Sequence, residues 1–222
     1  MTYTTVQAEG LKKYLRSILR YRETYEEVYD HVLTALTAKP DSISFEEAVN
    51  TILKDDFGGA NSLPDMEKRC HKAVMMDMLR KQWFYVKAYF ISSKIIFTIL
   101  LTLATYSLVV LLNASNFIWL WLYLILTVLV TLIIMIRYFS VGYYFKDTKR
   151  SIRDKISEEI AGRPLFFYNM GVMFLYSTRK QHYKSLPPVD PFLLTAFIVI
   201  NVIYILSFIR LSQDEFQLYI TK

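Results

Sequence analysis

Residues 95–112 read IIFTILLTLATYSLVVLL and residues 117–136 read FIWLWLYLILTVLVTLIIMI, two runs without one charged side chain. Crossing the hydrocarbon core of a bilayer takes about 20 residues of helix. The second run meets that length alone. The first meets it once Phe90 to Ser93 and a snorkelling Lys94 are added. Only Asn113-Ala114-Ser115-Asn116 separates the two, which predicts a tight antiparallel hairpin of spans over about 91–113 and 117–137. A third run, PFLLTAFIVINVIYILSFI at 191–209, has Pro191 at its first turn and Arg210 at its end, and reads as a span over about 191–210. The segment 164–178, PLFFYNMGVMFLYST, is shorter, because fifteen residues of helix rise only about 22 Å. Arg163 and Arg179 can snorkel from its ends, and mismatch costs only fractions of a kcal/mol per Å. It is read as a fourth span. An interfacial or re-entrant piece, leaving three spans, is the alternative. The expected fold class is all-α: a small cytoplasmic helical domain over 1–62, a connecting helix over 63–90 and a helical transmembrane bundle over 91–222.

Charge divides along the same line. Residues 1–90 hold 13 Lys/Arg and 13 Asp/Glu, whereas residues 91–222 hold 13 Lys/Arg and 7 Asp/Glu and so carry the whole net charge of +6. On a soluble protein a pI near 9.2 would raise nucleic acid as a partner. Here the positive residues flank apolar runs, where topology and anionic headgroups place them, so direct nucleic-acid binding is not expected. The first 25 residues are polar and charged, unlike a secretory leader, so insertion is expected to be directed by an internal span. The stretch 113–116 has no Lys/Arg, whereas 137–163 has seven, and Arg80, Lys81 and Lys87 precede the first span. The positive-inside rule therefore puts the N-terminal domain and the 137–163 loop in the cytoplasm. Trp83, Tyr85, Tyr89, Trp119, Trp121, Tyr138, Tyr143, Tyr144 and Tyr176 sit at span ends, as interfacial anchors do.

The N-terminal third reads as three short amphipathic helices. Val6, Gly10, Leu11, Tyr14, Leu15, Ile18 and Leu19 recur at spacings of three and four, as do Tyr25, Val28, Tyr29, Val32, Leu33 and Leu36. Pro40 and Asp41 close the second helix. The third opens with Ser44-Phe45-Glu46-Glu47, a capping-box pattern, turns Phe45, Ala48, Val49, Ile52 and Leu53 inward, and stops at Gly58-Gly59. A fourth helix starts near Ser62 with Pro64 early in it. No breaker follows, which predicts one continuous rod from about 64 to 112.

Catalytic and metal-binding patterns are not apparent. The chain has one cysteine, Cys70, so it forms no intrachain disulfide. Cys70 and His71 are adjacent and point about 100° apart on a helix, which does not suit a shared metal. Asp30-His31 borders an apolar stripe, and Asp55-Asp56-Phe57-Gly58-Gly59 reads as a helix end. No catalytic, cofactor-binding or metal-ligating residue is assigned. The polar residues within the spans are Thr98, Thr102, Thr105, Ser107, Thr127, Thr131, Asn169 and Asn201, none of them ionisable, which argues against a proton-coupled carrier. Asn201 is expected to hydrogen-bond a neighbouring helix. Asp147, Asp154, Glu158 and Glu159 alternate with Lys/Arg at helical spacing, the pattern of a solvated amphipathic helix rather than of a lipid-modifying site.

The run Tyr25-Glu26-Glu27-Val28-Tyr29-Asp30-His31-Val32, then Phe45-Glu46-Glu47-Ala48 and the Gly58-Gly59 stop, followed by spans, resembles bacterial membrane proteins with an N-terminal HAAS-type helical signalling domain. The resemblance covers roughly residues 8–60 and is one of layout. It implies a regulatory role in the bacterial inner membrane, with a protein partner for residues 1–80 and PadR-type transcription regulators as the class of partner. It transfers no catalytic residue. The expectation is a non-enzymatic, multi-pass membrane protein that anchors or regulates. The alternative is a small transporter or transporter subunit, which requires a polar cavity near Asn169 and Asn201.

Overall fold

A computed structural model describes residues 3–40, 42–111, 116–141, 149–163, 165 and 190–217. The expected span 164–178, apart from residue 165, and with it Asn169, lies outside the described residues, as do 113–115 between the first two expected spans. Among the described residues all regular structure is helical: α1 (Thr5–Ile18), α2 (Arg22–Thr37), α3 (Phe45–Phe57), a 3₁₀ turn (Ala60–Ser62), α4 (Leu63–Ile91), α5 (Ile95–Leu111), α6 (Asn116–Val141), α7 (residues 152–163) and α8 (Pro191–Gln217). The chain divides into two compact units. The first is Met1–Asp77 with Gly142–Ile156, and the second is Met78–Val141 with Ser157–Lys222.

The first unit is built as its periodicity dictates. Leu11 and Leu15 of α1, Val28, Val32 and Leu36 of α2, and Ala48, Ile52 and Leu53 of α3 form one buried cluster, joined by Leu19 and Leu63. Each large aliphatic side chain so buried contributes about 1.5–3 kcal/mol. Val6, expected on the inner face of α1, is exposed instead.

Local chemistry sets the helix ends. Gln7 N–H donates to Thr4 Oγ1 at 3.3 Å while Thr4 N–H donates to Gln7 Oε1 at 2.8 Å, a reciprocal capping box. The box expected at Ser44 is only half formed: Glu47 N–H donates to Ser44 Oγ at 3.2 Å, and no return bond from the Glu47 side chain accompanies it. Gly58 ends α3 at φ 74°, where a side chain would be strained, and the amides of Gly58 and Gly59 bond the Lys54 and Leu53 carbonyls.

The rod expected over 64–112 is broken. α4 ends at Ile91, α5 starts at Ile95, and their axes meet at 78°. Ser92 causes the break by offering the backbone other partners. Its hydroxyl donates to the Ala88 carbonyl and accepts from the Lys94 amide at 3.3 Å, and its carbonyl accepts from Ile95 N–H at 2.9 Å. Thr98 then reaches back to the Tyr89 carbonyl at 2.8 Å and pins the corner.

In the second unit α5 packs against α8. The turn that would close the expected hairpin of α5 on α6 lies outside the described residues. α8 runs past Arg210 to Gln217, two turns beyond the expected span end. Asp190 caps its start, accepting from Phe192 N–H at 2.8 Å. Among the described residues one helix, Pro191–Glu215, is long and apolar enough to cross a membrane alone. The pair Ala60–Ile91 and Ile95–Leu111 is a second if it is counted as one bent span.

Candidate functional site

In the first unit, charged side chains converge on the corner between α1 and α2. Tyr21 is the N-cap of α2 and makes no side-chain capping bond, and its own amide and that of Arg20, just ahead of the helix, need partners from elsewhere. Glu67, one turn into α4, supplies them. Its carboxylate accepts from Arg20 N–H at 2.9 Å, Tyr21 N–H at 2.9 Å and the Thr24 hydroxyl at 2.6 Å, and the residue is only 7% exposed. A carboxylate at a helix N-terminus also meets the positive end of the helix dipole. The opposite pole is served by Lys149, whose ammonium donates to the Arg16 and Leu19 carbonyls at the end of α1. Burial, with Arg16 nearby, holds the Lys149 ammonium below its ordinary pKa, and Glu67 pulls it back up.

The same corner holds the start of α7. Glu23, in the first turn of α2, accepts from the Ser151 hydroxyl and from Ile152 N–H at 3.0 Å, and Arg22 N–H donates to the Arg150 carbonyl at 3.0 Å. One turn beyond Glu67, the His71 ring stacks on Tyr21 at 5.5 Å, and its buried Nε2 has no hydrogen-bond partner. The lone pairs of Glu67 are thus spent on backbone amides and a hydroxyl, and the corner is a joint rather than a proton-transfer centre. Truncating Glu67 would strand three donors, each costing about 1–3 kcal/mol if buried.

The other polar residues singled out in the sequence are used structurally. His31 Nε2 lies 2.8 Å from Asp56 Oδ2 and the ring packs edge-on against Phe57 at 5.1 Å, which ties α2 to α3. With both side chains near half exposed, such a pair contributes at most about 1 kcal/mol. Cys70 is a free thiol of intermediate exposure. Among the described residues no group of three or more His, Cys, Asp or Glu is placed to hold a metal ion. Asp147 lies outside the described residues, Asp154 is buried, and Glu158 accepts from the Tyr138 hydroxyl at 3.3 Å. Asn201, expected to bond a neighbouring helix, donates instead to the Phe197 carbonyl of its own helix at 2.8 Å.

Comparison with protein-family models, curated proteins and solved structures finds no match. Geometry therefore carries the functional reading.

In the second unit, α4 and α8 are laced together. Lys81 Nζ lies 2.6 Å from Glu215 Oε1, the Tyr85 hydroxyl donates to Asp214, and the Arg210 guanidinium sits 5.8 Å from the Tyr85 ring centroid. Beside this ladder is a cavity of about 360 Å³. Its walls are mainly apolar, with Leu79, Val86 and Phe90 of α4 facing Ile200 and Ile203 of α8. Four polar or amphipathic residues join them: Gln82, Trp83, Arg163 and Tyr204. Gln82 Nε2 donates to the Tyr204 carbonyl at 3.3 Å, but Gln82 Oε1 is buried without a partner. An orphaned acceptor of this kind costs about 1–3 kcal/mol. Sequence reasoning missed Glu67, Lys149 and this cavity. For Glu67 a signal existed, since Glu67 and His71 are four residues apart and share the α4 face turned to the corner.

Proposed function

We propose that the chain is a non-enzymatic, multi-pass protein of the bacterial inner membrane, whose helical first unit faces the cytoplasm and takes a protein partner. One observation carries the membrane half of this reading: in the second unit many large apolar side chains point outward. Leu103 of α5, Leu132 of α6 and Ile200 of α8 are all more than half exposed, and other exposed apolar side chains accompany them, such as Leu100, Leu129 and Leu193. In water such a surface would aggregate. Hydroxyls in the same helices turn back on their own backbone, Thr102 to the Thr98 carbonyl, Thr131 to Thr127 and Ser207 to Ile203, which suits a medium without hydrogen-bond partners. At 1.5 Å per residue, the 26 residues of α6 and the 27 of α8 rise about 39 and 40 Å, more than a hydrocarbon core of about 30 Å. The 17 residues of α5 rise about 26 Å and suffice with modest thinning or snorkelling. The segment 164–178 is taken as the fourth span on its length and its flanking Arg163 and Arg179.

The partner reading rests on the HAAS-type layout, with the buried Glu67 carboxylate committed to the Arg20 and Tyr21 amides. The partner is a soluble regulator of the PadR type. Two experiments test the proposal. Pull-down from solubilised membranes is run with the full chain and with a chain lacking residues 1–80. Loss of the partner with the deletion is the expected result, and equal recovery from both removes the idea. Orientation is read from Cys70, the one thiol in the chain. A membrane-impermeant maleimide added to spheroplasts is expected to label it only after permeabilisation, and labelling of intact spheroplasts reverses the topology.

A further inference from the structure

We infer that the last 14 residues of α4, 78–91, lie flat in the headgroup layer of the bilayer, and that their exposed face is a docking surface for anionic phospholipid. The inference rests on the reading of the second unit as embedded in a bilayer. Three observations converge on it. The first is the corner at Ser92. α5 carries no charged residue, and α4 meets it at 78°. With α5 along the membrane normal, α4 stands about 12° from the membrane plane, and its last 14 residues, about 21 Å of helix, change depth by only about 4 Å. The second is depth. The side of α4 turned to α8 carries Lys81, 2.6 Å from Glu215, and Tyr85, which donates to Asp214 and lies beside Arg210. Four charged side chains gathered there belong at the water boundary and not in hydrocarbon, which sets the level of α4. The third is the side turned away from α8. Arg80, Trp83, Phe84, Lys87, Phe90 and Ile91 are all exposed, and spacings of three and four put them within about a third of the helix circumference.

A headgroup layer is the one covering that suits this mixture. Water would leave four large apolar side chains wet. Hydrocarbon would strand two cations. Between the two, Trp83 and its neighbours take the depth that aromatic rings favour, and Arg80 and Lys87 reach phosphates. Lys87 already lies 5.7 Å from the Trp83 ring centroid, so cation and ring share one level. Residues 78–91 contain no Asp or Glu, so the sign of the face is unopposed on its own helix and selects anionic lipid. The apolar surface also continues around the corner, from Phe90 and Ile91 to the exposed Ile95 and Ile96 of α5. What covers α5 therefore reaches α4 as well. A second copy of the chain is a poorer occupant, because a twofold contact through this face would bring the same cations of both copies together.

The test is spin-label depth measurement on the full chain in vesicles of equal parts phosphatidylglycerol and phosphatidylcholine. Single nitroxides are attached at Phe84→Cys, Ile91→Cys, Ile96→Cys and Leu103→Cys, each in a Cys70→Ser background. Seven residues, about 10 Å of helix, separate the two labels on α4 and likewise the two on α5. The α4 pair is expected to differ in depth by about 2 Å and the α5 pair by about 10 Å. In a second arm a fluorophore at residue 84 is quenched by brominated lipid. Brominated phosphatidylglycerol is expected to associate about fivefold better than brominated phosphatidylcholine, the scale of one cation at an anionic surface. Molar salt, with a screening length of about 3 Å, is expected to erase that preference. Arg80→Gln combined with Lys87→Gln is expected to erase it too, while the rings keep the α4 pair level. A depth difference on α4 as large as that on α5 overturns the inference, by making α4 a continuation of the span. A label at residue 84 that only aqueous relaxants reach overturns it by lifting α4 off the bilayer, and one that neither aqueous nor lipid relaxants reach does so by covering it with protein. Equal association of the two lipids, or a preference that the double substitution leaves intact, also overturns it. If instead the α5 pair shows no depth gradient, the membrane reading itself is what fails.

Discussion

Leu15 and Leu103 are the same residue in the same kind of helix, and they face opposite ways. Leu15 is 0% exposed in the core of the first unit, whereas Leu103 is 59% exposed on the outside of the second. In the first unit the apolar stripes of α1 to α3 meet one another and most charged residues look out, Glu67 and Asp154 being buried exceptions. In the second unit many apolar side chains look out, and what is buried includes Gln82, Asn201, Ser207 and Glu215 beside Leu194, Ile203 and Leu211. The hydrophobic effect orders the first arrangement; on the proposed membrane reading it gives no reason for the second, since in hydrocarbon an aliphatic side chain gains nothing by hiding. The contacts of Glu215 with Lys81 and of Gln82 with the Tyr204 carbonyl then add to the packing of Leu194, Ile203 and Leu211 in holding these helices together.

The contrast is open to attack first at Leu15 itself. Leu15→Ala is expected to destabilise the first unit by about 3–4 kcal/mol, through lost transfer energy and the cavity left behind. Amide hydrogen exchange of α1 to α3 in the detergent-solubilised chain would read it. In the second unit the sign of exposure reverses the cost of a charge. Leu103→Lys is expected to cost about 2.5–3.5 kcal/mol of insertion, seen as a fall in the fraction resisting alkaline extraction from membranes. Val6→Lys, at a position 78% exposed in the first unit, is expected to stay within about 0.5 kcal/mol by the same assays. Equal effects of the two lysines would erase the contrast.

Milder substitutions refine it. Glu67→Ala is expected to cost about 2 kcal/mol and to raise exchange first at Arg20 and Tyr21, whose amides lose their acceptor. Gly58→Ala is expected to cost about 1 kcal/mol, because its φ of 74° is left-handed and the new Cβ would meet Ser62 Oγ at 3.3 Å. The slightest change is at Asp65. The hydrogen bond and charge of Lys68, at 3.0 Å, hold its carboxyl below the usual carboxylate range. Its folded pKa lies under its unfolded one, so its stabilising contribution is full above the ordinary carboxylate value and fades as pH falls through the folded value. Asp65→Asn is expected to flatten the acid limb of the first unit's stability curve slightly and to leave neutral stability almost unchanged.

The parts of this molecule that are readable in the sequence are those set within one or two turns. The inward faces of α2 and α3 follow from spacings of three and four, and Gly58 announces its own left-handed turn. The corner at Tyr21 is not readable in that way. Its capping carboxylate arrives from 46 residues downstream and the lysine on the α1 carbonyls from 130, so no local pattern encodes either. The break at Ser92 is local yet ambiguous, because serine is tolerated inside helices and bends them only where its hydroxyl captures the backbone. α8 outruns its apolar stretch because Asp214 and Glu215 find Tyr85 and Lys81 on α4. The cavity, likewise, exists only once α4 and α8 have met.

The turn at Ser92 also decides what kind of motion α4 can hand on. At 78°, a displacement along α4 keeps only about a fifth of its length along α5, since the cosine of that angle is about 0.2. A straight shaft would deliver a piston stroke. This geometry is a crank, and a tug on the helix would reach α5 chiefly as torque about its own footing.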